Sequence, residues 1–217
     1  MFIELVDMLR CPNPHEETWL VLAADVMDGR DVMSGTLGCP ICHAEFPIVA
    51  GVARFGEADP ARALAPDESE ALRLTALLDL TDARGYAILV GETGNHAAAM
   101  RELTDTQLLL VDPPAHVEMG NGLSGVRTPP TTQALPFANG SARAIALNDG
   151  ATEASLVAAL DVLAPGGRLL APAELALPEN VIELARDDRN WLAERTREPR
   201  ASRVVSIDRR RGTTGTT

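Results

Sequence analysis

The sequence predicts an α/β protein with a doubly wound, mostly parallel sheet, preceded by a small N-terminal β domain. Three observations predict this arrangement. After residue 66, short continuous apolar runs alternate with helical segments, as in a parallel sheet covered on both faces. A stretch rich in Ala, Pro and charge, residues 56–66, reads as a linker. The 55 residues before it contain all three cysteines of the chain, which suits a small domain held by a metal.

Composition narrows the classes of function. A length of 217 residues allows one large domain or two smaller ones. The formal net charge of −12 argues against general nucleic-acid binding, although the arginine-rich C-terminus could hold an anionic partner or be a solvated face. No apolar run is long enough to span a membrane, and the N-terminus lacks the features of a secretory signal. We therefore expect a cytoplasmic protein, in which thiols stay reduced.

The first elements predict a hairpin that leads to a pair of cysteines. A short amphipathic segment, residues 2–9, precedes Cys11. Two β-prone segments, residues 18–27 and 32–37, flank an Asp28-Gly29 turn signal and pair as strands. The second strand returns the chain to Cys39 and Cys42.

The spacing C-x3-H…C-x2-C predicts a zinc site formed by Cys11, His15, Cys39 and Cys42. Thiolate sulfur and imidazole nitrogen are ligands that Zn²⁺ prefers, and four of them close a tetrahedral site. His43 is adjacent to Cys42 and too strained to reach the same metal. Two alternatives remain: a redox pair, which would need a helix starting at the first cysteine, and buried thiols without a metal.

This segment resembles a known family of zinc ribbons. MLRCP near the start and SGTLGCPICHAEFPIVAGVARF later are similar to the small family typified by the activator subunit of tRNA and protein methyltransferases. Phe46, Pro47, Ile48 and Gly51 match its aromatic-Pro-Ile and glycine positions, whereas Pro14 stands where the family has its second cysteine. The resemblance implies a zinc ribbon over residues 1–55 that binds a protein partner, a methyltransferase.

The second segment predicts alternating helices and strands. Asp67 and Glu70 form a capping-box-like start to a helix over residues 68–80. Apolar strands follow at residues 86–91, 107–112, 143–148 and 168–173, with helices at 95–102 and 155–163 and a last strand at 203–207. The result is a Rossmann-like domain over residues 67–208, and residues 209–217 are expected to be disordered.

Ligands of such sheets bind at the carboxyl ends of the strands, where the strand order reverses. The first strand ends in Gly91-Glu92-Thr93-Gly94, and the second ends in Asp112, about 20 residues on, where a carboxylate can bind ribose hydroxyls. Gly91, Gly94 and Asp112 are therefore candidate cofactor residues. Glycines that simply end a strand and an aspartate in a turn are the alternative.

The later part of the chain resembles the class I S-adenosylmethionine-dependent methyltransferases. Leu135-Pro136-Phe137 matches the segment before their fourth strand, and LAPGGRLL, residues 163–170, matches the turn that opens their fifth. The resemblance implies S-adenosylmethionine as the cofactor, with Gly91, Gly94, Asp112 and Leu135 in its site. Asn148-Asp149, at the end of a strand, is where some of these enzymes place groups that contact the substrate.

Several positions depart from the methyltransferase pattern. Leu89, Thr131 and Arg143 replace acids, the glycine loop is one residue shorter, and Glu92 would repel the cofactor carboxylate. Two functions follow: a methyltransferase with an altered loop and a fused zinc ribbon, or a catalytically inactive relative that acts as a protein-binding scaffold or activator. A nucleotide-binding oxidoreductase is a third, which the Leu-Pro-Phe and Pro-Gly-Gly signals disfavour.

Overall fold

A computed structural model describes residues 1–57, 59–65, 67–82, 84–129 and 134–196. The strand expected at residues 203–207, the tail at 209–217 and Thr131 lie outside these ranges. Within the described residues, no helix is both long and apolar enough to cross a bilayer.

In the part of the chain that the structure describes, eleven strands form one continuous sheet, and three α-helices accompany them. The strands are β1 (Val21–Asp28), β2 (Asp31–Gly38), β3 (Glu45–Val49), β4 (Val52–Arg54), β5 (Tyr86–Val90), β6 (Gln107–Val111), β7 (Leu123–Arg127), β8 (Ala142–Ala146), β9 (Leu163–Pro172), β10 (Val181–Arg186) and β11 (Asn190–Arg195). The helices are α1 (Glu68–Leu77), α2 (Ala97–Arg101) and α3 (Glu153–Val162), with short 3-10 helices at Ile3–Asp7 and Gly91–His96.

The strand order makes the centre of the sheet Rossmann-like. The strands lie in the order β1-β2-β3-β4-β7-β6-β5-β8-β9-β11-β10, and the six from β4 to β9 are mutually parallel. Within the order β7-β6-β5-β8-β9, the chain begins at the central strand β5 and adds β6 and β7 on one side. It then returns to add β8 and β9 on the other side, which is the doubly wound arrangement. The α/β fold predicted from the sequence is confirmed.

Helices cover both faces of this sheet, so a hydrophobic core lies on each face. Successive residues of a strand point alternately into the two cores. Ile88, Leu109 and Ile145 pack in one core with α3 and the N-terminal 3-10 helix. Their strand neighbours, such as Leu89 and Leu110, pack in the other core with α1 and α2. Because the residues on both faces of each strand are buried, the sequence of each strand is a continuous hydrophobic run.

The N-terminal segment forms two hairpins that extend the same sheet. β1 and β2 pair as predicted, but the two-residue turn is Gly29-Arg30, one position later than expected. Ala50 and Gly51, with φ of 50° and 76°, form the turn between β3 and β4, as required by a tight hairpin with two left-handed residues. β4 then pairs with β7 in parallel, so the sheet continues across the predicted linker.

Further contacts join the N-terminal segment to the parallel part of the sheet. The Phe2 amide donates to Ser124 Oγ at 2.8 Å, and the Ala138 amide donates to the Met8 carbonyl at 2.7 Å. Leu9 is fully buried and forms an isolated antiparallel bridge with Phe137. The segment is thus docked on the segment that precedes β8.

The second half of the chain differs from the prediction in three places. β7, β10 and β11 were not predicted, and the expected helix at residues 95–102 begins earlier, as the Gly91–His96 3-10 helix that leads into α2. Pro-Gly-Gly does not precede β9 but forms an irregularity within it, between the pairs Ala142↔Leu163 and Ala144↔Arg168. Gly167 is needed there because a Cβ would lie 2.7 Å from the Arg143 carbonyl oxygen.

Candidate functional site

A cluster of four side chains lies where the two N-terminal hairpins begin. The ligand atoms of Cys11, His15, Cys39 and Cys42 all lie within 4.8 Å of one another. Cys11 Sγ is 3.7 Å from Cys42 Sγ, and Cys39 Sγ is 3.4 Å from His15 Nε2. A tetrahedral zinc with bonds of about 2.3 Å to sulfur and about 2.0 Å to nitrogen requires edges of about 3.8 Å and 3.5 Å. The cluster therefore fits a tetrahedral metal, and its cysteines are not joined as disulfides.

Two backbone features orient the ligands. His15 Nδ1 lies 2.7 Å from the Glu16 carbonyl oxygen, to which it donates, so the lone pair of Nε2 points into the cluster. The Cys42 amide donates to Cys39 Sγ at 3.5 Å. This hydrogen bond closes the tight turn that places both sulfurs of the C-x2-C pair on the same side of the backbone. His43 follows with φ of 59° and does not belong to the cluster.

The environment of the thiols favours charge on Cys42. A hydrogen bond from Asn13 Nδ2, at 3.3 Å, is the largest of the contacts that lower the pKa of Cys42 to about 6. Burial is the largest cause that raises the pKa of Cys11 to about 12. Without a metal, these shifts favour the thiolate at Cys42 over Cys11, and a bound cation would favour thiolate ligands further.

The loop after β5 is a closed turn in the structure. Gly91–His96 form a 3-10 helix, and Thr93 Oγ1 donates to the Val90 carbonyl at 2.9 Å. Gly91 has φ of 62°, and a Cβ on Gly94 would lie 3.2 Å from Pro114 Cδ. The two glycines therefore serve a left-handed turn and close packing against the residues after β6.

Asp112 lies at the carboxyl end of β6, as predicted, but its carboxylate already has protein partners. Oδ1 accepts the Thr128 amide at 2.9 Å, and Oδ2 accepts the Thr128 hydroxyl at 2.6 Å. Asp112 has φ of 50°, a left-handed conformation that Asp tolerates better than most residues. The side chain thereby joins the ends of β6 and β7.

Residues 61–64, which we call the strap, cross the carboxyl ends of β5 and β6. Asn95 Oδ1 accepts the Leu64 amide at 2.8 Å, and Asn95 Nδ2 donates to the Arg62 carbonyl at 3.0 Å. The Ala61 amide donates to the Asp112 carbonyl at 3.3 Å. The strap thus lies beside the point, between β5 and β8, where the strand order reverses.

A small polar cavity remains beside the strap, at the carboxyl ends of β5 and β8. Its volume is about 80 Å³, and its walls include Glu92, His96, Asn148 and Asp149. Among the described residues, His96 Nδ1 is buried without a hydrogen-bond partner. Sites for drug-sized ligands are typically about 300–1,000 Å³. The cavity is therefore smaller than a site for S-adenosylmethionine, and the strap lies across the strand ends that such a site would use.

Two other predicted site residues lie away from this cavity. Leu135 is half-buried and packs against the core that contains α3. Arg143 is near the amino end of β8, where it pairs with Asp82 and lies 3.6 Å from Asp79 Oδ2. The expectation that Arg143 replaces a cofactor residue is therefore wrong. Its side chain lies at the amino ends of the parallel strands, whereas ligands bind at their carboxyl ends.

The strand order and the Cys/His cluster define a Rossmann-like α/β protein with a candidate metal centre. Neither a protein-family model nor a curated protein matches the chain.

Three solved structures are partly similar to the chain. A protein from Corynebacterium glutamicum is 17% identical, with a TM-score of 0.46 over 64% of this chain and 85% of that one. A putative S-adenosyl-L-methionine-dependent methyltransferase from Methanococcus maripaludis is 9% identical, with a TM-score of 0.41 over 61% and 86%. A putative methyltransferase from Escherichia coli is 15% identical, with a TM-score of 0.37 over 66% and 94%. The fold assignment comes from this chain's own strand order.

Proposed function

We propose that this chain is a zinc-containing relative of the class I S-adenosylmethionine-dependent methyltransferases that does not bind the cofactor and acts as a protein-binding scaffold. The observation that carries the proposal is the state of Asp112. Both oxygens of the carboxylate that would bind ribose accept hydrogen bonds from Thr128. The strap supports the same conclusion, since its hydrogen bonds to Asn95 occupy the loop that would hold the methionyl part.

The zinc in this proposal has a structural role. Cys11, His15, Cys39 and Cys42 would fill all four positions, which leaves none open for water or substrate. The ion would fix the start of both hairpins and so stabilise the edge of the sheet. Reduced thiols are needed for this site, which agrees with a cytoplasmic location.

The second candidate, a working methyltransferase, is supported by the cavity at the end of β8. Asn148 and Asp149 line it beside His96, whose Nδ1 is buried without a partner in the described part of the chain. In this candidate the strap has to leave its hydrogen bonds to Asn95 before a cofactor enters. The strap would then be a reversible cover.

Calorimetric titration with S-adenosylmethionine, up to millimolar concentration, separates the two candidates. The scaffold proposal expects no binding by the wild type, by Asp112→Ala, by Glu92→Gly or by Asn95→Ala, which removes the strap's anchor. Binding that appears only in Asn95→Ala supports a covered but working site. Micromolar binding by the wild type contradicts the scaffold. Asn139→Ala is a suitable control because Asn139 is an exposed amide on a different loop.

The N-terminal hairpins offer the surface for the proposed protein partner. β1 is at the edge of the sheet, and its neighbour Trp19 is 65% exposed. Val26 and Met27, on β1, are also exposed. An edge strand with exposed apolar side chains is a template for pairing with another chain. By analogy with the resembled activators, we propose a methyltransferase as the partner.

The partner proposal is tested by affinity purification with quantitative mass spectrometry. A methyltransferase retained by the wild type should be lost with Val26→Asp/Met27→Asp. It should be retained by Leu177→Asp, which adds one negative charge at an exposed apolar residue after β9. Equal retention of that methyltransferase by both variants, or none by the wild type, contradicts the proposal.

A further inference from the structure

A second, larger cavity lies on the face of the sheet that carries α2. Its volume is about 510 Å³, and it opens between the ends of β4 and β7 and the segment after β6. Its walls are mainly apolar and include Met33, Val52, Pro114 and Met119. Two arginines, Arg54 and Arg127, also line it. The volume falls within the range of about 300–1,000 Å³ that small-molecule sites have.

The two arginines are neighbours by the register of the sheet. Arg54 ends β4, Arg127 ends β7, and the two are paired across the parallel strands. Paired residues of adjacent strands point to the same face, and the strands are about 4.8 Å apart. Two guanidinium groups therefore extend side by side into one cavity.

Neither guanidinium forms an ion pair within the described residues. Arg54 Nε and Arg127 Nη1 are buried without a hydrogen-bond partner, and neither side chain has an ion-pair partner among the described residues. Burial is the main cause that lowers the pKa of Arg127; Asp112 opposes it and Arg54 adds to it. Asp112, the nearby acid, already accepts two hydrogen bonds from Thr128. Glu118 is exposed and also lines the cavity.

Both side chains are half-buried, and a partly buried charge with an unpaired donor is costly, so a fold that keeps two such groups together needs a reason for them. A guanidinium presents a planar set of N–H donors that matches the oxygens of a phosphate or carboxylate. Two guanidiniums carry two positive charges, which a phosphate dianion balances and a single carboxylate does not. The apolar walls fit an organic group attached to that phosphate.

We propose that Arg54 and Arg127 bind the phosphate of a small organic phosphate monoester, whose apolar part packs against Val52 and Met119. The ligand binds without covalent change. The site is separate from the strap and from the cavity at the end of β8, so it stands whether or not the chain binds S-adenosylmethionine.

Calorimetry with phenyl phosphate, inorganic phosphate and phenylacetate tests the proposal on the full chain. Phenyl phosphate should bind, and more tightly than inorganic phosphate, which lacks the apolar part, or phenylacetate, which has one negative charge. Arg54→Gln and Arg127→Gln should each weaken binding about ten- to a hundredfold, the loss expected for hydrogen bonds to a charged group. The matched control is Arg84→Gln. The Arg84 side chain is 88% exposed and precedes β5, so it lies at the amino ends of the strands, away from the cavity.

Three results would overturn the proposal. One is no binding of phenyl phosphate at millimolar concentration. Another is unchanged affinity in both arginine variants. The third is phenylacetate binding as tightly as phenyl phosphate, which would assign the site to carboxylates.

Thermal unfolding without ligand gives an independent readout. Arg127→Met removes a half-buried charge that has no ion-pair partner among the described residues but keeps the apolar stem, so the melting temperature of the ligand-free protein should rise. The same variant should lose the rise in melting temperature that phenyl phosphate gives the wild type. A lower melting temperature in Arg127→Met would indicate a structural role for the side chain and contradict the proposal.

Discussion

Asp112→Ala measures whether the carboxylate at the end of β6 is part of the fold or part of a ligand site. In the structure Asp112 receives two hydrogen bonds from Thr128, at 2.9 and 2.6 Å. A hydrogen bond to a charged group contributes about 1.5–3 kcal/mol, and the lower value applies to this half-buried side chain. Alanine also tolerates the left-handed φ of 50° less well than Asp, which adds up to about 1 kcal/mol.

The total expected cost is therefore about 3–4 kcal/mol. For a protein of this size, about 2–4 °C of melting temperature is lost per kcal/mol, so the shift should be about 6–16 °C. Circular dichroism melts, with urea unfolding as a second method, measure it. Asp112→Gly loses the same hydrogen bonds but adopts a positive φ freely, so it should be about 1 kcal/mol more stable than Asp112→Ala.

A double-mutant cycle with Thr128→Val tests the assignment of the partner. Asp112 and Thr128 should show a coupling energy of about 1–3 kcal/mol, as residues in direct contact do. The reasoning is refuted if Asp112→Ala changes the melting temperature by less than about 2 °C while it abolishes binding of S-adenosylmethionine. That result would make Asp112 a ligand residue after all.

Three further predictions concern the metal, the docking of the N-terminal segment and acid stability. Protein purified without added metal should contain about one zinc per chain, and Cys39→Ser/Cys42→Ser should contain none by elemental analysis; full occupancy in that variant would exclude the site. Leu9→Ala should lower the stability of the whole chain by about 2–5 kcal/mol in a single transition, because Leu9 is fully buried against the segment before β8; independent NMR rotation of residues 1–55 would contradict this. Amide donors from Asn190 and Arg189 lower the pKa of Asp187 to about 2 from its ordinary value near 3.8, so its contribution to stability is present above pH 3.8 and lost as pH falls towards 2. Asp187→Asn should therefore flatten the acid limb of the stability curve, and an unchanged limb would show that the carboxylate has no net role.

The parallel strands β5, β6 and β8 could be predicted from the sequence because both of their faces are buried. Their runs are continuous and apolar, and their short length favours a buried strand over a buried helix. β7 was missed because its sequence, LSGVR, contains Ser124 and Gly125. Gly125 is required by its neighbours, since a Cβ there would lie 2.9 Å from Met119 Sδ and 3.0 Å from Val52 Cγ2. That crowding depends on β4, which is 70 residues away in the sequence and gives no local signal.

The sequence predicts more of the metal cluster than of the contacts made by the residues at the strand ends. Spacing suffices for Cys39 and Cys42, because the two sulfurs are placed by one tight turn. Asp112 was placed correctly at the end of its strand, but its partner Thr128 lies 16 residues on and directly follows the strand that was missed. Arg54 and Arg127 were missed as a pair for the same reason, because only the pairing of β4 with β7 brings them together.

The distribution of unsatisfied polar groups shows where this fold keeps capacity for a ligand. At the strand ends a methyltransferase would use, Thr128 pairs with Asp112 and the strap pairs with Asn95, whereas His96 Nδ1 is buried without a partner in the described residues. A ligand that entered there would have to displace the strap from Asn95, so it would gain only the difference between the new hydrogen bonds and those lost. Arg54 and Arg127 have no such bonds to break, since their buried donor atoms lack partners in the described residues. The energetic argument therefore favours a ligand at the two arginines over one at Asp112, even though Asp112 is the residue that the sequence pattern selects.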